Sequence, residues 1–401
     1  MSDRVGCNRA APIRDSVLPM GLFTEISALV RFFFQTPKSE KAIVFYSEQA
    51  SYWAYFEGLI GALQRKTDRS ICYVTSDPND PVLSSGNPRI RAFYLNRLLP
   101  SFMGYVDCKV FVITLTELNL HHLKRSNQPV HYAYVFHALN SSHMAYRPQA
   151  FDHYDSILCC GPYHANEIRR DEELRGLPKK QLVEAGYYRL ERLYKAAQEQ
   201  PASSTEKKVV LVAPSWSANN VLEAHGATLV RTLLNAGYEV IMRPHPETIK
   251  RSAELVQAIE DEFRDDAQFT LERSVATDDS ILRADVLITD WSGIALEYAF
   301  GTERPVLYLD VPRKVHNDSY ATLGIEPFEV RMRSEIGVVF PPADIVNIDQ
   351  AIDRLVRERE QYRQRIVELR SDNIFHFGHS SKVGARHILD VLEATETGST
   401  N

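Results

Sequence analysis

Residues 288–310 read ITDWSGIALEYAFGTERPVLYLD. Two short apolar runs, one ending at Thr289 and one spanning 305–309, enclose a turn of small and polar residues and a helical stretch. Strands built almost wholly from Val, Ile and Leu are buried on both faces, the pattern of a parallel sheet with helical crossovers. In that architecture a polar turn at the carboxyl end of a strand marks a ligand site.

The same alternation extends in both directions. Upstream, strands are expected at 42–46, 71–75, 108–114, 131–137, 156–160 and 182–186, with helical periods at 51–64 and 163–173. The stretch AAQEQPASSTEK (196–207) is polar, small and Pro-containing, and reads as a linker. Beyond it, strands are expected at 209–214, 238–244, 267–271, 285–289 and 305–309. Helices fit 220–235, 250–264, 278–283, 292–300, 348–370 and 380–394. Two blocks of strand and helix in 401 residues imply an α/β protein of two doubly wound Rossmann-like domains.

Bulk properties narrow the function. With 46 basic and 52 acidic side chains the net charge is −6, which argues against non-specific nucleic-acid binding. The cysteines at 7, 72, 108, 159 and 160 form no disulfide framework, and a reducing cytoplasm is the expected location. No signal peptide or membrane-spanning run is visible. The segment 20–34, MGLFTEISALVRFFF, has an apolar stripe that fits either a membrane surface or the protein's own body.

The turns after the second-block strands are all polar or Pro-containing: PSWSANN (214–220) with Ser215, RPHPET (243–248), TDWSG (289–293) and DVPRK (310–314). Ser292 and Gly293 open a helix whose free N–H groups suit a phosphate, with Asp290 or Ser292 equally readable as the N-cap. Glu297, one turn on, is placed to accept hydrogen bonds from a ribose. Arg243 and His245 are spaced by prolines on a stiff loop and supply a guanidinium fork and a ring donor for phosphate, the ring if an anion raises its pKa. In the first block His137 ends an apolar strand and suits a general base with an unperturbed pKa near 6.5, or a ring hydrogen-bonded into its loop. His143 is a second choice. Seven of the thirteen histidines lie between 121 and 164, but their spacing is irregular, and no metal motif, Walker A loop or GxGxxG fingerprint appears. No metal and no cofactor is expected.

The order APSW (213–216), RPHP (243–246) and the 288–310 segment resembles the CDP-glycerol glycerophosphotransferase family of teichoic-acid and capsule synthesis. VFHALNS (135–141) stands where that family has a WHG-type motif, His137 matching its histidine. AGYYRLERL (185–193) is similar to a GYPRND-like turn, and FHFGHSSKVGARHILD (375–390) matches the closing segment through Gly378, Ser381 and Arg386. Ala138 replaces a glycine, LNSSH replaces TPLK, Tyr188 replaces a proline, and Trp291, Gly293 and Glu297 replace Tyr, Ser and Asp. The resemblance covers roughly 130–390.

It implies the glycosyltransferase-B architecture: an acceptor-side domain over 1–195, a linker over 196–207, a nucleotide-donor domain over 208–372, and a tail over 373–401 whose helix crosses back. It implies a CDP-alditol donor held by Ser215, Arg243, His245, Asp290, Ser292, Gly293 and Glu297. An acceptor hydroxyl on a cell-surface polymer or lipid would give its proton to His137, and CMP would leave. The location implied is cytoplasmic and peripheral on the inner membrane face. A nucleotide-sugar glycosyltransferase and a non-catalytic phosphopolymer-binding protein are the alternatives, with a passing similarity to nucleotide-sugar epimerases.

Overall fold

Apolar strands that cannot face water on either side need helices on both faces of their sheet, and this chain builds that arrangement twice. A computed structural model of the protein describes residues 21–200, 207–217, 220–275 and 277–398. The first sheet contains β1 (Ile43–Ser47), β2 (Ile71–Thr75), β3 (Ile90–Tyr94), β4 (Val110–Ile113), β5 (His131–Val135), β6 (Ser156–Cys159) and β7 (Gln181–Glu184). The second contains β8 (Val209–Val212), β9 (Glu239–Met242), β10 (Phe269–Leu271), β11 (Val286–Thr289), β12 (Val306–Leu309) and β13 (Gly337–Phe340). All pairings are parallel, in the orders β3-β2-β1-β4-β5-β6-β7 and β10-β9-β8-β11-β12-β13.

Both sheets therefore reverse their strand order once, between β1 and β4 and between β8 and β11. The crevice at such a reversal, outside the carboxyl ends of the strands, is where this fold class takes ligands. Thr289 pairs with Tyr308 at the end of β11, so the turn at 290–293 opens into that crevice.

β3 and β13 were absent from the sequence expectations, and both are edge strands. Their burial is mixed, so neither presents a continuous apolar run. The strand expected over 131–137 stops at Val135, which leaves His137 in the following loop. The helix expected over 250–264 is divided at Ser252, and that over 348–370 at Glu358. Helix Tyr188–Glu199 runs into the span read as a linker, whose residues 201–206 lie outside the described residues, as do 1–20.

The two halves share apolar core. Leu190 and Leu193 pack in one cluster with Tyr298, Ala299 and Phe300 of helix Ile294–Thr302. The chain then returns: Phe375 donates its backbone N–H to Cys160 O at 2.9 Å, and Ala385, Ile388 and Leu392 of helix Ser380–Glu396 complete the core against helix Trp53–Lys66. Gly186 permits this crossing. Its φ is +90°, and a Cβ there would meet Phe375 O at 2.1 Å.

Helix Leu22–Val30 buries one face and exposes the other. Glu25 is buried and accepts from the backbone N–H groups of Asn96 and Leu98 at 2.8 Å, and Ala28 and Phe32 enter the core. Phe23 and Phe34 remain 89% and 84% exposed, beside Leu22, Ile26 and Val30. The reading of 20–34 as packed on the protein's own body holds for one face, and the other face is exposed apolar surface. No helix of the described residues is long and apolar enough to cross a membrane.

Candidate active site

A cavity of about 500 Å³ lies between the carboxyl ends of the two sheets. From the second sheet it is lined by Ser215 and Trp216 after β8, Arg243 and His245 after β9, Trp291, Ser292 and Gly293 after β11, and Lys314 and His316 after β12. From the first it receives Tyr52 and Tyr55 after β1 and His137, Asn140 and Tyr146 after β5. Six of the sequence-derived donor residues and His137 thus meet at one cleft.

Asp290 does not line it. Its carboxylate accepts from the backbone N–H groups of Ser215 (2.7 Å), Val221 (3.4 Å) and Trp291 (2.6 Å), all within the protein. It ties the loop after β8 to the loop after β11, and a buried carboxylate with three N–H partners holds those loops in register. The ligand role expected for Asp290 is replaced by this one.

Gly293 caps helix Ile294–Thr302, and the reason for glycine is spatial. A Cβ would lie 2.5 Å from Asn140 Oδ1, on the opposite half of the cleft. The free N–H groups of that helix start, with Ser292 beside them, face the cavity side where anions are stabilised.

Glu297 is already engaged. It accepts from Tyr187 Oη at 2.7 Å and Arg189 Nε at 2.9 Å, and Arg189 also pairs with Asp278 at 3.0 Å. Arg192 reaches the same Asp278 at 2.7 Å. The ribose role expected for Glu297 would have to share its carboxylate with this network. Arg189 sits in AGYYRLERL, so a signal for it was present in the sequence.

Arg243 is 4% exposed and donates to Ser280 Oγ at 3.0 Å, with Glu272 at 3.9 Å. Burial pulls its guanidinium below its ordinary range. His245 caps helix Pro246–Arg251 by accepting the Glu247 N–H on Nδ1 at 3.1 Å, which leaves the proton of the neutral ring on Nε2. Its pKa is pushed down to about 4 by burial and by the charge of Lys314. At neutral pH the ring is a neutral Nε2–H donor.

His137 differs from its expectation as well. It is stacked on Tyr52 at 5.5 Å and edged by Tyr146 at 5.8 Å and Tyr55 at 6.2 Å. Burial among these rings pushes its pKa down to about 4, partly offset by the Thr114 backbone. Its Nδ1 is buried without a well-formed hydrogen bond. The ring is therefore neutral at physiological pH and able to accept a proton.

The loop after His137 is anchored on both sides. Ser141 donates through N–H and Oγ to Glu329 of the second half (2.8 and 3.1 Å), and Ser142 donates to Glu167 of the first (2.6 and 2.7 Å). His143 pairs with Glu167 at 3.3 Å and contacts Ile325 O at 3.0 Å, away from the main cavity. Burial lowers its pKa, but Glu167 more than offsets this and the net shift is upward. His164 is buried against Phe136. Among the described residues no group of three or more metal-ligating side chains forms.

Comparison with known proteins agrees with this geometry. The model of the family "CDP-Glycerol:Poly(glycerophosphate) glycerophosphotransferase" matches residues 28–315. The wall teichoic acid polymerase TagF is similar in structure at 16% identity, covering 90% of this chain and 91% of that one with a TM-score of 0.62. A TagF variant soaked with CDPG gives 14% identity, 93% and 94% coverage and 0.61. The UDP-GlcNAc 2-epimerase of Neisseria meningitidis gives 12%, 87% and 99%, and 0.54. At these identities the likenesses establish the fold, two Rossmann-like sheets about a cleft. No curated protein sequence matches the chain.

Proposed function

We propose, from the premise that the chain belongs to the CDP-glycerol:poly(glycerophosphate) glycerophosphotransferase family, that it moves an alditol phosphate from a CDP-alditol to an acceptor hydroxyl. The supporting observation is one cavity that sets a neutral, buried histidine opposite a cationic, helix-capped wall. Arg243, the Nε2–H of His245 and the N–H groups at Ser292 and Gly293 hold the diphosphate. Ser215 and Glu297 border it, with Glu297 placed for the ribose. The soak of the similar polymerase with CDPG supports the choice of donor.

His137 takes the acceptor proton as the hydroxyl oxygen forms its bond to the distal phosphorus. The bond from that phosphorus to the bridging oxygen breaks, and CMP leaves with the electron pair. Such transfer depends on positioning and charge neutralisation, which fixed donors supply. The tyrosines around His137 exclude water and keep the ring neutral.

The acceptor is a cell-envelope polymer or a lipid-linked precursor at the cytoplasmic membrane face. The exposed Phe23, Phe34, Leu22, Ile26 and Val30 form a surface that enters the headgroup region of a bilayer. Calorimetric titration of CDP-glycerol, CDP-ribitol, UDP-glucose and CMP tests the donor. Preference for a CDP-alditol supports the reading, and preference for UDP-glucose replaces it with a glycosyltransferase.

A further inference from the structure

Lys314 lines the cavity with its Nζ 4.8 Å from the ring centroid of Trp216, and no carboxylate of the described residues forms an ion pair with it. The other cavity cations are provided for: Arg189 by Glu297 and Asp278, Arg243 by Ser280 with Glu272 beyond. Asp290 is the acid whose field reaches Lys314, and its oxygens are taken by three backbone N–H groups. Glu247, on the neighbouring helix, is paired with Arg251 at 2.7 Å.

The groups facing Lys314 are bases. His245 and His316 lie 6.2 and 5.9 Å from the same Trp216 ring, and Arg251 is 5.1 Å from it. His316 Nδ1 lies 3.0 Å from Ala145 O, which can only accept, so the Nδ1 carries the proton and Nε2 is free to take another. Lys314, two neutral imidazoles and the Glu247-paired Arg251 thus gather around one indole, and among the described residues no carboxylate is free to pair with the amine. A buried ammonium in this position is stabilised by an anion.

We infer that Lys314 is the counter-charge for a phosphate of the bound nucleotide diphosphate, and that above neutral pH diphosphate binding places a proton on this side chain. The inference rests on the donor reading given above and adds a residue and a proton linkage to it. Burial holds the Lys314 pKa down to about 8, and the charge of Lys314 helps to lower His316 and His245. A phosphate dianion favours the protonated amine and raises its pKa. Affinity is then greatest when Lys314 is already charged and falls as pH rises past about 8.

The test is calorimetric titration of CDP, UDP and cytidine into the full chain at about pH 8.5, in two buffers of different ionisation enthalpy. CDP is expected to bind with uptake of roughly three-quarters of a proton, the neutral fraction of a group titrating at about 8. Lys314→Arg, which stays charged, should keep the affinity within about threefold and lose the uptake. Lys314→Gln should weaken CDP by roughly 10- to 100-fold and leave cytidine unchanged. CDP binding without uptake, or with uptake that survives in Lys314→Arg, overturns the role of Lys314 and leaves the CDP donor standing. Equal binding of UDP and CDP, each with uptake lost in Lys314→Arg, keeps Lys314 and overturns the cytidine donor.

Discussion

The two walls of the cleft solve opposite electrostatic problems. The second-sheet wall gathers Arg243, Lys314 and His245 with a helix N-terminus, and the glutamates bordering it, Glu247 and Glu297, are paired with arginines. The first-sheet wall surrounds one histidine with Tyr52, Tyr55 and Tyr146, and burial rather than a neighbouring charge sets the state of that ring. An anion-binding wall gains from fixed positive charge, whereas a proton acceptor must be kept uncharged until its substrate arrives. Desolvation does both: it lowers Lys314 and it lowers His137, with opposite consequences for what each can bind. On the function proposed above, one wall serves affinity and the other rate.

The largest effect should come from deleting the rate wall alone. His137→Ala should lower CMP release by roughly 100- to 10,000-fold with CDP-glycerol affinity nearly intact. A parallel loss of affinity in calorimetry would show that the walls are not separate. Next, Arg243→Ala should weaken CDP-glycerol by on the order of 100-fold while a residual rate persists at saturating donor. An unchanged Kd would remove Arg243 from the affinity wall.

Acid sharpens the contrast between site and frame. His137 is neutral above about pH 4 in the free enzyme, so the acid limb of kcat/KM attributable to it should fall tenfold per unit near 4, not near 6.5. The frame responds earlier. His164 and His387 are also held down to about 4 by burial, so unfolding lets them take up protons below about 6.5. Their neutral burial contributes in full above that value, and stability declines as pH falls from there toward about 4. Thermal unfolding across this range should show Tm dropping while kcat at fixed temperature holds. The smallest effect concerns neither wall: Phe23→Asp with Phe34→Asp should cut binding to anionic lipid vesicles by about tenfold and spare transfer to a soluble acceptor. Unchanged vesicle binding would assign that face elsewhere.

The affinity wall was the more legible in sequence because each of its loops directly follows a strand, and strands of continuous Val, Ile and Leu announce themselves. Ser215, Arg243, His245, Ser292 and Gly293 were found that way. Lys314 was inside a quoted turn, DVPRK, but nothing local says that a lysine lacks its counter-ion. The rate wall was legible only in His137. Tyr52 and Tyr55 come from a helix far upstream, and their stacking on His137 is a product of tertiary packing. The internal partners of Asp290 and Glu297 were not legible, for one reason. A carboxylate in a motif does not reveal that backbone N–H groups, or Tyr187 and Arg189, have already claimed it. The edge strands β3 and β13 escaped because their half-exposed positions break the buried pattern.

The return of helix Ser380–Glu396 to helix Trp53–Lys66 has a consequence for synthesis. Helix Trp53–Lys66 emerges from the ribosome roughly 300 residues before the helix that completes its core, which at ordinary elongation rates is a wait of some tens of seconds. During that interval the face of helix Trp53–Lys66 that Ala385, Ile388 and Leu392 cover is without those partners. This face of the first-sheet core therefore closes last, although it is translated early.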